Sequence, residues 1–422
     1  MRGEGRVARM AEAPVLADAL WLMLPPEDMT SFLRACLLSG PAVHAAWARW
    51  LGAERDLSRR LGRDRAGARR HLPLLYVNLT RNGVSIDPLF LPYFRTALIR
   101  DDLRHGRYER IARDALTALA GARVNVVVLK GAALAASVFD PPALRHCHDI
   151  DLLIPATQIG AAVEALTAGG FAAEARTNPG SDTRVEHASG LQLTLHTRLV
   201  NTPFYELPIA TMLERTRTIP VAGAPARIMS AADMLVHVCA VASESPARDS
   251  LSWAVDACLV ARTVPAPDWE IVVATTCEGQ MALPLFTMLS YLAEALEAPV
   301  PASALAALRA AAMRTDRVRR QAAIRGVRAG ARGRLSEILR VSGWRSRLAV
   351  LGWMLAPSPA YLRWTHPGTP PWRLPACYLT RPLRFVGHRF LRARRDPPDA
   401  FEAPHATSAA AKENPGGRPS DQ

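Results

Sequence analysis

VNVVVLKGAALAASVFDPPALRHCHDIDLLIP, residues Val124 to Pro155, is the stretch on which the reading of this chain turns. It parses as strand, turn, helix, loop, strand. Val124 to Leu129 is a short apolar run rich in β-branched residues, the pattern of a buried strand. Lys130-Gly131 breaks the run, and Ala132 to Val138 then supplies about two turns of good helix former. Asp140-Pro141-Pro142 closes that helix, because proline disfavours helical backbone in the residue before it. A second strand is expected over Asp149 to Ile154, where the apolar Ile150-Leu152-Leu153-Ile154 backing is interrupted by two carboxylates, Asp149 and Asp151.

Residues i and i+2 of a strand point to one face, so Asp149 and Asp151 project together. Like charges held that close repel unless a cation or a proton sits between them. Mg²⁺ suits the position, since it takes carboxylate oxygens and keeps open positions for substrate phosphates; Mn²⁺ is the alternative ion. Gly131 allows close backbone approach to a bulky ligand, and amides at the start of the next helix bind phosphate. The competing reading is a strand that ends in two solvated aspartates. The Lys-Gly turn one strand earlier argues against it.

Leu129-Lys130-Gly131, then Arg145, then Asp149-Ile150-Asp151-Leu152-Leu153, resembles the core of a bacterial family of uncharacterised nucleotidyltransferases within the polymerase-β-like superfamily. Leu74 to Leu79 is similar to that family's helical lead-in, and Leu166 to Phe171 to its helix-to-strand turn. Leu251 to Asp256 and Pro267-Asp268-Trp269 resemble its C-terminal helical half. The similarity runs from about Leu72 to Tyr378. It implies an α+β fold in which a mixed sheet with packed helices is flanked by N-terminal helices and a C-terminal helical bundle. The expected divisions are an N-terminal helical region at 1–106, a nucleotidyltransferase-like core at 107–225, a helical region at 226–395 and a disordered tail at 396–422.

The resemblance also implies a Mg²⁺-dependent transfer of an NMP group from an NTP to an acceptor hydroxyl. Asp149 and Asp151 would hold metal, while Lys130, Gly131, Arg145 and His196 would contact nucleotide. For Arg145 a phosphate contact and a loop-anchoring ion pair with an aspartate both stand open. The same two readings, anchoring and substrate contact, apply to Asp256. A third superfamily carboxylate should lie two residues before a histidine on a neighbouring strand. In Leu191-Gln192-Leu193-Thr194-Leu195-His196-Thr197-Arg198 that place is Thr194. A hydroxyl is a poor Mg²⁺ ligand and no base at neutral pH. Glu186, on the preceding strand of the hairpin that turns at Ser189-Gly190, is the candidate replacement. The rival function is a catalytically weakened nucleotide-binding or scaffold protein that kept the fold. The acceptor is open among small molecules, peptides and proteins.

Length and composition set the frame. The chain of 422 residues has ample material for a core, and its 49% hydrophobic content is that of a soluble globular protein. Basic residues outnumber acidic ones 52 to 38, leaving a formal charge of +14. That charge fits phosphate-bearing substrates, nucleic acid or an anionic surface. Lys130 and Lys412 are the only lysines, so an ammonium stands at 130 where arginine is the default. The basic stretch Arg314 to Arg334 lacks interleaved aromatics, which argues against a single-strand nucleic-acid channel. Leu335 to Ala356, with Trp344 and Trp353, reads as a docked amphipathic helix, and Ala403 to Gln422 as disordered. The six cysteines (Cys36, Cys147, Cys239, Cys258, Cys277, Cys377) show no Cys-x-x-Cys or zinc spacing, which suits free thiols in a reducing cytoplasm. No stretch reads as a signal peptide or a transmembrane helix.

Overall fold

The structure is a computed structural model that describes residues 24–52, 56, 57, 61, 67–173, 182–200, 207–244, 251–313 and 370. The chain divides into two units, Met1–Thr369 and Pro370–Gln422, and the second is described only at Pro370. The expectations for Val15 to Met23, for the basic stretch 314–334, for the amphipathic segment 335–356 and for the tail lie outside the described residues.

A seven-stranded mixed sheet organises the described residues. Its centre is the strand pair expected from the sequence, β1 (Val127–Leu129) and β2 (Asp149–Leu153), which run antiparallel with Leu129 opposite Asp151. β1 is shorter than the apolar run, because the amide of Asn125 turns aside to donate to Gln158 Oε1 at 2.8 Å. Outward from β2 come β5 (Gln192–His196, parallel), β4 (Thr183–His187) and the short edge strand β3 (Phe171–Ala173). On the other side β1 pairs in parallel with β7 (Ala224–Ile228), whose hairpin partner β6 (Arg217–Val221) forms the opposite edge. The strand order is therefore β3-β4-β5-β2-β1-β7-β6. Leu152, Leu193 and Leu195 are fully buried on one face. The residues that alternate with them in β2 and β5 (Asp149, Asp151, Thr194, His196) share the other face.

Among the described residues twelve α-helices accompany the sheet, so the architecture is α+β, consistent with a nucleotidyltransferase-like fold. In chain order α1 (Glu27–Leu37), α2 (Pro41–Leu51) and α3 (Leu72–Arg81) precede the long α4 (Leu91–Gly121). α5 (Lys130–Val138) crosses from β1 towards β2, α6 (Ile159–Ala168) leads to β3, and α7 (Ile209–Glu214) precedes β6. After β7 the chain is helical: α8 (Ala231–Glu244), α9 (Ser252–Ala261), α10 (Trp269–Glu278), α11 (Ala282–Leu296) and α12 (Ala302–Met313). Asp268 caps α10 by accepting from the amides of Glu270 and Ile271 at 3.0 and 3.1 Å, which satisfies two of its otherwise orphaned donors.

The first described helix packs on two helices of the C-terminal half. α1 contacts α2, α3, α9 and α11, and charged side chains tie their ends together. Arg34 donates to the carbonyl of Ala295 at 2.7 Å and pairs with Glu297 at 2.7 Å. Arg262, just past α9, donates to the carbonyls of Leu37 and Leu296 at 2.5 and 2.8 Å, one guanidinium serving the C-terminal ends of two helices. Truncating Arg262 to leucine should leave both carbonyls unpaired. Since hydrogen bonds to charged groups contribute roughly 1.5–3 kcal/mol, we expect Arg262→Leu to destabilise the protein by about 2–3 kcal/mol. Urea unfolding followed by circular dichroism measures this, and an unchanged midpoint would contradict the assignment.

Candidate active site

The chemistry gathers where β1 ends and β2 begins. Lys130 follows β1 immediately with a left-handed backbone (φ 47°), a conformation few side-chain-bearing residues adopt. From there its Nζ reaches Asp151 Oδ1 at 2.9 Å. Because β5 lies beside β2, His196 approaches the same oxygen, with Nε2 at 2.5 Å from Asp151 Oδ1. The other ring nitrogen, Nδ1, is 3.0 Å from Asp182 Oδ1, just ahead of β4. Two carboxylates thus flank one imidazole. Carboxylates only accept, so a ring satisfied at both ends donates at both and carries a positive charge.

The electrostatics follow from burial and partners. Asp151 is only 6% exposed. Burial pushes its pKa up, but the bonds and positive charges of His196 and Lys130 prevail and bring it down to about 2. For His196, burial works against the charged ring, and its bonds to Asp151 and Asp182 outweigh that, so its pKa is raised. Asp149, two residues earlier on the same face, is half-exposed, and His148 Nε2 lies 3.8 Å from its Oδ2. One step behind the cluster, His237 of α8 is fully buried and bonds the carbonyl of Leu199 at 2.9 Å. Desolvation drives its pKa down to about 4, so the ring is neutral and donates through Nε2.

The remaining candidates fall into place around this core. Gly131 lies in the first turn of α5 rather than in a break before it. A Cβ there would stand 3.0 Å from Cys147 Sγ and 4.0 Å from Arg145 Cζ, so the glycine lets α5 lie against the loop that enters β2. Arg145 makes a two-pronged ion pair with Asp256 of α9, Nε to Oδ1 and Nη2 to Oδ2 both at 2.8 Å. It therefore anchors the loop to the helical half, one of the two readings open for it. His146 bonds Asp101 of α4 through Nδ1 at 3.2 Å. Cys147 is a half-buried thiol whose pKa desolvation raises to about 11, which keeps it protonated at neutral pH.

Thr194 stands in register with Asp151 on the neighbouring strand, and Arg184 of β4 stands opposite Thr194. Glu186 shares their face but pairs with Gln192, which in turn pairs with Asp149. It is exposed, and its backbone is two strand spacings, about 10 Å, from that of Asp149. Among the described residues no three His, Cys, Asp or Glu side chains are grouped as a metal-binding set. What is present is a pair of carboxylates on one face, with Asp151 Oδ2 receiving no hydrogen bond from the described residues. That donor set fits a divalent ion of the Mg²⁺ type, which is commonly held by one or two carboxylates and completed by substrate oxygens and water.

Asp182 is the residue that sequence reasoning missed. Its signal was present in the hairpin: with Thr183 opposite Leu195, one further step of the register sets 182 opposite 196.

A mixed sheet with paired aspartates beside a strand–helix turn defines the class as nucleotidyltransferase-like. A family model described as "uncharacterised nucleotidyltransferase" matches residues 64–297, more than half of the chain, and the protein belongs to that family. No curated protein and no solved structure matches it. Among the described residues no helix is long and apolar enough to cross a membrane.

The two histidines set opposite pH limits. His237 has a folded pKa of about 4, below its unfolded value of about 6.5. The unfolded chain therefore binds a proton that the fold refuses, and stability falls as pH drops through that window, by about 3 kcal/mol in total. His196 has a raised folded pKa; its contribution is complete below the unfolded value and is lost as pH rises through the folded one. We expect urea midpoints to fall from pH 6.5 to pH 4.5. His237→Gln, which keeps a donor for Leu199, should flatten that acid limb. An acid limb equally steep in the variant would rule His237 out as its source.

Proposed function

We infer that the protein transfers an NMP group from an NTP to an acceptor hydroxyl, with Mg²⁺ or Mn²⁺ as cofactor. The observation that carries this reading is the placement of Asp149 and Asp151 on one face of β2, with the Lys130 ammonium 2.9 Å from Asp151 at the left-handed entry to α5. Asp149 and Asp151 would hold the metal, which when bound supplies Lewis-acid stabilisation of the phosphoryl oxygens and of the departing pyrophosphate. The chain's own residues supply the rest. Lys130 offers a compact positive charge, suited to a single phosphate oxygen. His196 and Lys130 keep Asp151 ionised, so it serves as a ligand across the neutral pH range. Asp149, half-exposed, is the carboxylate open to an arriving ligand. Arg145, through Asp256, holds the loop that sets the start of β2.

Helix α9 contacts both α1 and α5, and Arg145 and His237 tie α9 and α8 to the site. The helical half is therefore the element suited to select the acceptor, whose identity stays open among small molecules, peptides and proteins.

A second reading is favoured by Thr194. In register with Asp151, it occupies the position where the superfamily resemblance calls for a third carboxylate, and its hydroxyl neither binds Mg²⁺ well nor accepts a proton at neutral pH. On this reading the protein binds nucleotide and turns it over weakly or not at all.

Incubation of purified protein with α-labelled NTPs and Mg²⁺ decides between the two. Label transferred to the protein or to lysate components supports the transferase. Nucleotide binding without transfer supports the second reading, and neither binding nor transfer would sink both. Asp149→Asn should abolish transfer with little change in stability, because the side chain is half-exposed. Asp151→Asn should cost stability as well, since it removes the charge that holds Lys130 and the Nε2 end of His196 together and leaves His196 only Asp182 as a counter-charge. Lys130→Met should weaken NTP binding about tenfold, which is about 1.4 kcal/mol by calorimetry.

A further inference from the structure

Asp182 lies outside every motif that the family resemblance carries, yet it is built into the site. Its Oδ1 is 3.0 Å from His196 Nδ1, and the opposite nitrogen of that ring is 2.5 Å from Asp151 Oδ1. His196 is 5% exposed and Asp151 6%, so the ring cannot exchange either partner for bulk water without moving. Gripped at both ends, the imidazole has one orientation, and that orientation fixes the Asp151 carboxylate. Lys130 adds a second bond to the same oxygen, and Oδ2 receives no hydrogen bond from the described residues. Partners one shell beyond a ligand commonly set its geometry, and their loss costs about 10–100-fold in metal affinity.

We propose that Asp182 is a positioning residue which, through His196, aims the Asp151 carboxylate at the metal and the nucleotide phosphates. In a site whose third acidic position is Thr194, Asp182 supplies the missing carboxylate at one remove, as an orienting group and not as a ligand. This rests on the transferase or nucleotide-binding reading for its consequence, but the orientation of His196 is testable by itself.

The test uses the full chain and two readouts. Mn²⁺ affinity is measured by electron paramagnetic resonance, and the ring N–H signals of His196 are followed by NMR, assigned with a His196→Gln control. We expect Asp182→Ala to lose the slowly exchanging Nδ1–H signal and to bind Mn²⁺ about 10–100-fold more weakly. Asp182→Asn, whose amide oxygen still accepts from Nδ1, should restore most of both. A purely structural role would lower thermal stability without rescue by asparagine and would leave the ring signal in place. Should alanine fail to fold, Asp182→Ser, too short to reach the ring, is read in the same way. Wild-type Mn²⁺ affinity together with an unchanged His196 spectrum in Asp182→Ala overturns the proposal. If the wild type itself binds no Mn²⁺, the metal reading of the site fails, and the His196 signal alone then decides for or against Asp182.

Discussion

A carboxylate only 6% exposed in the middle of a central strand stays ionised only if something repays its lost hydration. For Asp151 that compensation comes from two cations on one oxygen, Lys130 Nζ at 2.9 Å and His196 Nε2 at 2.5 Å. Removing either partner would leave the buried charge with one cation in place of two, a smaller cost than the roughly 3–5 kcal/mol of a fully unpaired buried ion. The three residues belong to three neighbouring segments: the exit of β1, the middle of β2 and the end of β5. A one-residue slip of β2 would carry Leu152 to the polar face and Asp151 into the leucine core. The ion cluster and the strand register therefore specify each other, which is why so short a β1 suffices to define the centre of the sheet.

Around this cluster the chain uses arginine to bind helices to the sheet region. Arg145 reaches Asp256 with both prongs at 2.8 Å. Arg215, after α7, reaches Asp233 of α8 at 2.9 and 2.6 Å, with Ser230 completing the carboxylate's bonds. Such planar two-point pairs fix direction as well as distance, a property that a lysine ammonium lacks. The contrast bears on the one lysine among the described residues. Lys130 shares a single oxygen with an imidazole, a one-point contact that suits a compact ammonium better than a two-pronged guanidinium. A non-glycine residue held at φ 47° costs about 1–3 kcal/mol, and such strain persists where surrounding structure over-determines it, most often at functional sites.

The strand–helix–strand core was legible because its signals are local. A β-branched run, a helix-forming run and a proline stop each speak within a few residues, and the alternation of Asp149 and Asp151 fixes their common face. The β6–β7 hairpin was not legible. Pro220 faces Pro225 across it, and Arg217 and Arg227 dilute the apolar alternation; proline within a run reads as a non-strand. Here it is tolerated beside the turn, in a hairpin whose outer strand is the sheet's edge. Gly131 read as a turn between strand and helix, whereas it lies inside the helix's first turn, its missing Cβ required by Cys147 one loop away. That demand is tertiary and leaves no local trace. Asp182 failed for a related reason: an acid just ahead of a strand looks like solvated punctuation until the register carries it across to His196.

Thr194 changes how such a site must balance its charge. Three ligating acids with no cation among them would repel strongly, and a divalent ion would be needed simply to hold them together. Here Asp149, Asp151 and Asp182 are set against Lys130 and a doubly bonded His196, which leaves about one net negative charge. The cluster is therefore close to balanced in charge by the chain's own residues. For the proposed function the consequence would be a competition: a phosphate oxygen that recruited Lys130 would draw it from Asp151, and Asp151 would then need another positive partner. On the proposed function, nucleotide and divalent cation would be coupled through one carboxylate, each making room for the other, with His196, held from behind by Asp182, keeping that carboxylate aimed during the exchange.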